Sequence, residues 1–215
     1  MAGSVLCRKE NFTPMSANKS IDFFDRQFRT QPPETALQLN PFETVVLPYL
    51  RGKVLDFGSG MGNLAVAAAA RGCAVTALDA SPAAIEHIKR RATSEGLPVS
   101  AHIADLRDHH LAADYDCIVS IGLLMFFDGP AALRILGQLQ DRVRPGGIAA
   151  INVMIEGSTY LDMFDPSGYC LFAADELERR FAGWAVLHSS LQCFDAPMAT
   201  LKRFTTIVAR KPHED

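Results

Sequence analysis

The sequence predicts an α/β fold in which a doubly wound, parallel sheet is covered by helices on both faces. Three observations predict it. From Lys53 onward, short apolar strand-like segments and helical segments alternate five times, the pattern of a parallel sheet built by crossovers. Such crossovers are right-handed, which winds the chain to both sides of the sheet. Tyr115 to Ile121 is apolar without alternation, as a strand buried on both faces is. At 215 residues, with 48% apolar and 21% charged residues, the chain suits one ordinary domain with a sizeable core.

Each element has its own local reason. Residues 1 to about 20 are polar and mixed. Ile21, Phe23, Phe24 and Phe28 then alternate with Asp22, Asp25, Arg26 and Arg29 before Pro32-Pro33, which predicts a short amphipathic helix and a stiff turn. Residues 1–33 are thus expected to be an N-terminal extension able to act as a lid, and residues 34–212 the main domain. A helix is expected from Glu34 to Leu50, interrupted near Pro41. Lys53 to Phe57 is the first strand. Gly62 to Arg71 is alanine-rich and helical, and Gly72 stops it. Ala74 to Leu78 is the second strand. Ser81-Pro82 starts a helix that continues to about Glu95, with Ile85, Ile88 and Ala92 on one face. Val99 to Ile103 and Tyr115 to Ile121 are the third and fourth strands. Asp128 to Arg144 carries Leu133, Leu136, Leu139 and Val143 at helical spacing, and Pro145-Gly146-Gly147 is expected to end that helix. Ile148 to Ile155 is the fifth strand and Asp175 to Phe181 a short helix. Trp184 to Cys193 and Arg203 to Arg210 are the last two strands.

Composition narrows the function. A formal net charge of −3 provides no basic footprint for a phosphate backbone, so nucleic acid is not an expected partner. The apolar stretches at Leu64 to Ala70 and Cys117 to Phe127 fall short of the roughly 18 residues of a membrane helix, and no signal-like segment opens the sequence. Five scattered cysteines without a C-x-x-C pair fit neither a disulfide framework nor a zinc site. The expectation is a cytoplasmic protein, monomer or homodimer, with a small-molecule substrate and no bound metal.

In doubly wound sheets, ligands bind beyond the carboxyl ends of the strands where strand order reverses. The loop after the first strand reads Asp56-Phe57-Gly58-Ser59-Gly60-Met61-Gly62-Asn63. Its glycines let the backbone turn sharply beside a ligand, and the helix that follows presents unpaired N–H groups. A dinucleotide site wants G-x-G-x-x-G, whereas here Asn63 stands at the third glycine position. Asp79 ends the second strand, where a carboxylate can accept both ribose hydroxyls. Asp105 follows the third strand, within reach of an adenine edge. Asp56 could bind the turn's own N–H groups or a ligand amine. Three carboxylates around one cleft suit a cationic cofactor better than a pyrophosphate.

The series V-L-D-F-G-S-G-M-G, A-L-D-A-S, A-D-L and Y-D-C-I-V-S resembles the successive motifs of class I S-adenosylmethionine-dependent methyltransferases, over roughly residues 50 to 155. The resemblance implies a Rossmann-like sheet of seven strands, mostly parallel, with an antiparallel C-terminal hairpin. It implies that Gly58, Gly60 and Gly62 surround the methionine moiety of S-adenosylmethionine. Asp79, with Ala80 beside it, takes the ribose hydroxyls. Asp105 binds the adenine amino group with Leu106 packing nearby, and Ser120 and Ile121 lie next to the sulfonium. S-adenosylhomocysteine would be the product. Ser120 to Asp128, Leu171 to Trp184 and Leu201 to Lys211 are similar to the tellurite-resistance methyltransferases, and Phe24 to Phe28 is loosely like their N-terminal segment. That family carries a His-Arg pair where this sequence has Leu191-Gln192-Cys193-Phe194, while the arginine of the next strand is kept as Arg203.

Methyl transfer from a sulfonium is an in-line displacement in which the protein mainly aligns the reactants. A soft nucleophile needs little more than a dry pocket, whereas an alcohol or phenol needs a general base. Gly122-Leu123-Leu124-Met125 follows the fourth strand without an ionisable group or the Pro-Pro-aromatic motif of base amino methyltransferases. Arg26, Arg29 and Arg203 are the candidates to receive an anionic substrate, against the alternative of ordinary surface arginines. His109 and His110 read as solvated, His188 as a packed strand residue and Cys170 as a core thiol. Tyr160 and Tyr169 lie in the segment expected to cover the substrate. The leading reading is methylation of a soft or anionic nucleophile such as a thiol, selenium oxyanion or other metalloid. Methylation of a larger metabolite and a non-catalytic cofactor-binding module are the alternatives.

Overall fold

The computed structural model describes residues 19–30, 38–166 and 168–213. Its strands are β1 (Lys53–Phe57), β2 (Ala74–Asp79), β3 (Val99–Ile103), β4 (Tyr115–Ile121), β5 (Val143–Met154), β6 (Ala185–Ala196) and β7 (Thr200–Arg210). They form one sheet in the order β3-β2-β1-β4-β5-β7-β6. The first five strands are mutually parallel, and β7 runs antiparallel to both β5 and β6. The expected doubly wound sheet with its antiparallel hairpin is therefore present. From β1 the chain builds outward to β3, then returns to place β4 on the other side of β1. That reversal is the switch point.

Six helices accompany the sheet among the described residues: α1 (Lys19–Thr30), α2 (Pro41–Val46), α3 (Asn63–Ala70), α4 (Pro82–Glu95), α5 (Gly129–Asp141) and α6 (Glu176–Arg180). One core layer packs Leu64 and Ala68 of α3 and Ile85 and Ile88 of α4 against Val54, Val75 and Val119. The opposite layer packs Ile135, Leu136 and Leu139 of α5 and Leu177 and Phe181 of α6 against Leu55, Ile118 and Ile151. Burying apolar side chains on both faces of the central strands holds the strand ends in fixed positions.

Two expected helix boundaries are corrected. No helix runs through residues 38–40. Instead Asn40 caps α2, accepting from the backbone of Phe42 and Glu43, while Glu43 accepts back from Asn40 N. This reciprocal capping box puts Pro41 at the first helical position, so it starts the helix and does not interrupt it. Likewise α5 ends at Asp141, and Arg144-Pro145-Gly146-Gly147 belongs to the beginning of β5. Val143 already pairs with Tyr115, and a register shift between Tyr115 and Cys117 absorbs the irregular stretch. A Cβ on Gly147 would stand 2.8 Å from the carbonyls of Arg144 and Asp116, so the glycine there allows a strand contact. The cation that closes α5 comes from far along the chain, since Lys211 Nζ donates to the carbonyls of Gln140, Asp141 and Val143. The last two strands are also longer than expected and meet in a tight turn at Pro197–Ala199, with Met198 and Ala199 at φ of 58° and 56°. Pro32-Pro33, residues 1–18 and Glu34 lie outside the described residues.

Candidate cofactor site

A cleft of about 670 Å³ opens at the carboxyl ends of β1, β2, β3 and β4. The turn after β1 forms its floor with Ser59, Gly60, Met61 and Gly62. Gly60 and Gly62 take φ of 50° and 73°, a region only glycine enters without strain. Gly62 has a second constraint: a Cβ there would collide with Ile88 Cγ1, so its absence lets α4 pack close to the turn. Gly58 does not line the cleft, and its missing side chain makes room for Leu123, which does.

Asp79 stands at the end of β2 and faces the cleft. Its Oδ2 accepts from Gly60 N and its Oδ1 from Ser81 N, both at 2.8 Å. Burial pushes its carboxyl above the ordinary range, while those N–H groups pull the other way. Each oxygen retains a lone pair, so the carboxylate is fixed in place and still able to accept two hydroxyls. Ala80, Asp105 and Leu106 line the same wall, and Asp105 Oδ1 accepts from Arg107 N. Ile121 ends β4 on the cleft. Ser120, one residue earlier, is wholly buried and does not line it.

Asp56 lies behind the cleft wall, 5% exposed. Burial first, then the nearby charges of Glu43 and Asp79, push its carboxyl up to about 8. It accepts no hydrogen bond among the described residues. A buried acid short of donors and beside two more acids favours a cation as neighbour.

Gln38, Asn40 and Glu43 among the lining residues are not expected from the sequence, whereas those of α1 lie in the segment expected to act as a lid. Gln38, Asn40 and Glu43 come from the segment before β1, and Ser20, Ile21, Phe24, Gln27 and Phe28 from α1. Burial raises the Glu43 carboxyl, and the Asn40 N–H opposes this. The signal for Asn40 and Glu43 was their capping-box spacing, N-P-F-E. Gly122, Leu123, Phe126 and Phe127 complete the wall after β4, and Phe24 meets Phe126 edge to face at 5.2 Å.

The three candidate arginines are not brought together on this cleft. Arg29 pairs with Asp25 at 2.7 Å. Arg203 donates to the carbonyl of Glu156. Arg26 donates to the carbonyl of Asp22 and lines a neighbouring space. The cation that does face the cleft is Arg107, which pairs with Asp128 at 2.7 Å and lies over the Phe127 ring. No histidine, tyrosine, cysteine or lysine lines the cleft among the described residues. Tyr169 stacks on Phe164, His188 shares a hydrogen bond with Ser190, and burial pushes the Cys170 thiol up to about 11.

A family profile described as a methyltransferase domain matches residues 54–147, the stretch that carries the glycine turn, Asp79, Asp105 and β4. Over those residues the chain is similar to methyltransferase domains. It resembles the tellurite-resistance methyltransferases. It is 25% identical over 202 residues to the probable S-adenosyl-L-methionine-dependent methyltransferase TehB of Haemophilus influenzae strain KW20, covering 90% of this chain and 67% of that protein. The crystal structure of TehB from Haemophilus influenzae superposes with a TM-score of 0.70 at 21% identity, over 89% of this chain and 67% of that one. The chain is also 30% identical over 166 residues to hemagglutinin 1 of Eikenella corrodens, covering 74% of this chain and 55% of that protein. It thus spans little more than half of that relative's length. A structure described as conversion of a disulfide bond into a thioacetal group during echinomycin biosynthesis has a TM-score of 0.65 at 27% identity, over 91% of this chain and 94% of that one.

The donor set of the cleft fits S-adenosylmethionine. A pre-fixed carboxylate, a glycine floor and a buried acid raised by its neighbours suit ribose hydroxyls and a cationic methionine moiety. Among the described residues, Asp108 is the one cleft acid that pairs with a cationic side chain, Arg134 at 3.8 Å, while Glu43, Asp79 and Asp105 pair with none.

Proposed function

We propose that this chain transfers the methyl group of S-adenosylmethionine to a small soft or anionic nucleophile, a thiol before a metalloid oxyanion, in the cytoplasm. The observation that carries the reading is the absence of a histidine, tyrosine, cysteine or lysine base among the described residues that line the cleft. At the end of β4 the cleft presents Ile121, Gly122 and Leu123, and beyond them Phe126 and Phe127.

S-adenosylmethionine supplies a methyl group on a cationic sulfur, already activated for departure. What remains for the chain is to bind, align and exclude water. Asp79 holds the ribose end against the glycine turn. Asp105 and Leu106 receive the adenine. Asp56 and Glu43 provide negative charge near the methionine end. Leu123, Phe24 and Phe126 keep the reacting side apolar, where a thiolate or other soft anion reacts without a base. The apolar wall itself gives an alcohol no proton acceptor, the cleft's carboxylates being taken up by the cofactor in this reading. The His-Arg pair of the tellurite-resistance enzymes is missing from β6, which favours sulfur over tellurite. The similarity to the structure described for a disulfide-to-thioacetal conversion supports the same preference.

The test is direct. The purified chain is incubated with S-adenosylmethionine and, separately, thiophenol, selenite, tellurite or catechol, and S-adenosylhomocysteine is measured. Thiophenol is expected to give the fastest turnover and catechol none. Turnover with catechol alone would overturn the reading.

A further inference from the structure

A second space of about 600 Å³ lies between α1 and the start of β7. Phe24 and Gln27 face both it and the cofactor cleft. Its walls are Phe23, Phe24, Tyr160 and Met163, and its two cations are Arg26 and Lys202. Lys202 Nζ sits 4.3 Å from the centroid of the Tyr160 ring.

These two cations are among those that no carboxylate takes up. Arg29, Arg107, Arg142, Arg144, Arg179 and Arg180 all pair with carboxylates. Among the described residues, Arg26 and Lys202 pair with none. Arg26 spends its Nε on the carbonyl of Asp22, which leaves the terminal nitrogens of its planar fork for a ligand. Successive residues of a strand point to opposite faces, so Lys202 enters this chamber while Arg203 turns towards Glu156. Two cations without a carboxylate partner, set above aromatic and thioether walls, match a ligand that is apolar along its body and anionic at one end. A bare oxyanion would leave most of the volume unused.

We propose that this chamber is the acceptor subsite, and that it takes an aromatic or similarly apolar molecule bearing a carboxylate, anchored by Arg26 and Lys202. The assignment rests on the methyltransferase reading above and deepens it. The reactive end of the molecule reaches past Phe24 and Gln27 towards the cofactor cleft, and the carboxylate stays behind.

Binding tests it without needing the true substrate. The protein is saturated with S-adenosylhomocysteine and titrated calorimetrically with benzoate, benzyl alcohol and selenite. Benzoate is expected to bind about tenfold more tightly than benzyl alcohol, the scale of one charge-assisted hydrogen bond. Lys202→Met and Arg26→Met, on different elements, are each expected to weaken benzoate about tenfold and leave S-adenosylhomocysteine affinity unchanged. Equal binding of benzoate and benzyl alcohol, or benzoate binding indifferent to both substitutions, would overturn the proposal. Selenite binding as tightly as benzoate would overturn it too, by showing an oxyanion site with no use for an apolar body. Wild-type protein that takes up no S-adenosylhomocysteine would instead strike at the cofactor reading beneath both proposals.

Discussion

Both carboxylate oxygens of Asp79 accept backbone N–H groups, from Gly60 and Ser81, so one side chain ties the glycine turn to the start of α4. The same carboxylate faces the cleft. Asp79→Ala therefore removes a ligand contact and a local tie together. It is expected to weaken S-adenosylmethionine binding by about 1.5–3 kcal/mol, the range for hydrogen bonds to a charged group, with a melting temperature lowered by only a few degrees. Calorimetry and a thermal melt check this; unchanged affinity with a large loss of stability would make Asp79 purely structural. Asp56 behaves differently. Its carboxyl is raised to about 8 by burial and by Glu43 and Asp79, so below that pH the cofactor-free protein keeps it protonated. A cation bound nearby favours the ionised form. Binding of S-adenosylmethionine below pH 8 should then release protons, visible as a buffer-dependent calorimetric heat, and affinity should rise with pH towards 8. The stability sign follows from the raised folded value. Folding gains from Asp56 staying neutral at low pH and loses progressively as pH climbs from the ordinary carboxylate range through about 8. Asp56→Asn is expected to melt higher than wild type at pH 8 in the absence of cofactor, and to bind the cofactor more weakly. A lower melting temperature at that pH would contradict the argument.

At the scale of elements, α1 presents Ser20, Ile21, Phe24, Gln27 and Phe28 to the cleft, residues at helical spacing on one face. It is held at its middle by Asp25, which accepts from Ser81 Oγ at 2.6 Å and Ala83 N at 3.3 Å and pairs with Arg29. Burial alone would raise the Asp25 carboxyl, but the hydrogen bonds from Ser81, Arg29 and Ala83 outweigh it and hold it below the ordinary value. The anchor is therefore present at neutral pH and is lost as pH falls through that lowered value. Asp25→Ala should speed hydrogen exchange in α1 several-fold and lower turnover, with little change in melting temperature. Deleting residues 1–30 should do the same more strongly, cutting turnover by more than about tenfold through loss of water exclusion. Truncation that destabilised the whole fold would make α1 a core element and not a lid. The elements also show what could be read in advance. The ranges of β1 and β4 follow from apolar runs bounded by glycine and polar turns. The α5–β5 boundary was not legible, because Pro145-Gly146-Gly147 has the composition of a helix terminator and only pairing with β4 makes it part of a strand. Asp79 and Asp105 could be placed because they end consecutive strands. Glu43 and Asn40 could not, since nothing local says that a short capped helix before β1 will fold across the cleft. Lys202 was hidden behind Arg203, because the face a strand residue takes depends on register.

The whole molecule carries a formal charge of only −3, yet its acids are unevenly placed. Glu43, Asp79, Asp105 and Asp108 face one cleft with Arg107, and Asp56 lies just behind. Arg107 is already paired with Asp128, so the field inside remains negative. A pyrophosphate entering this space would be repelled, and the glycine turn departs from the dinucleotide spacing, with Asn63 at the third glycine position. A sulfonium and an ammonium would be drawn in. Selectivity thus comes from the switch point as a unit: the ends of β2 and β3 and the capped α2 supply the charge together. A ligand that binds only the folded state stabilises it by about 2.7 kcal/mol at a hundred times its dissociation constant. For a chain of this size that corresponds to about 5–10 °C in melting temperature. S-adenosylmethionine at saturating concentration should raise the melting temperature by that amount, and added salt should reduce the gain by screening the cleft. NAD at the same concentration should leave it unchanged. A shift with NAD equal to that with S-adenosylmethionine would mean that the carboxylates do not set the choice of cofactor, and that the glycine turn accepts a phosphate after all.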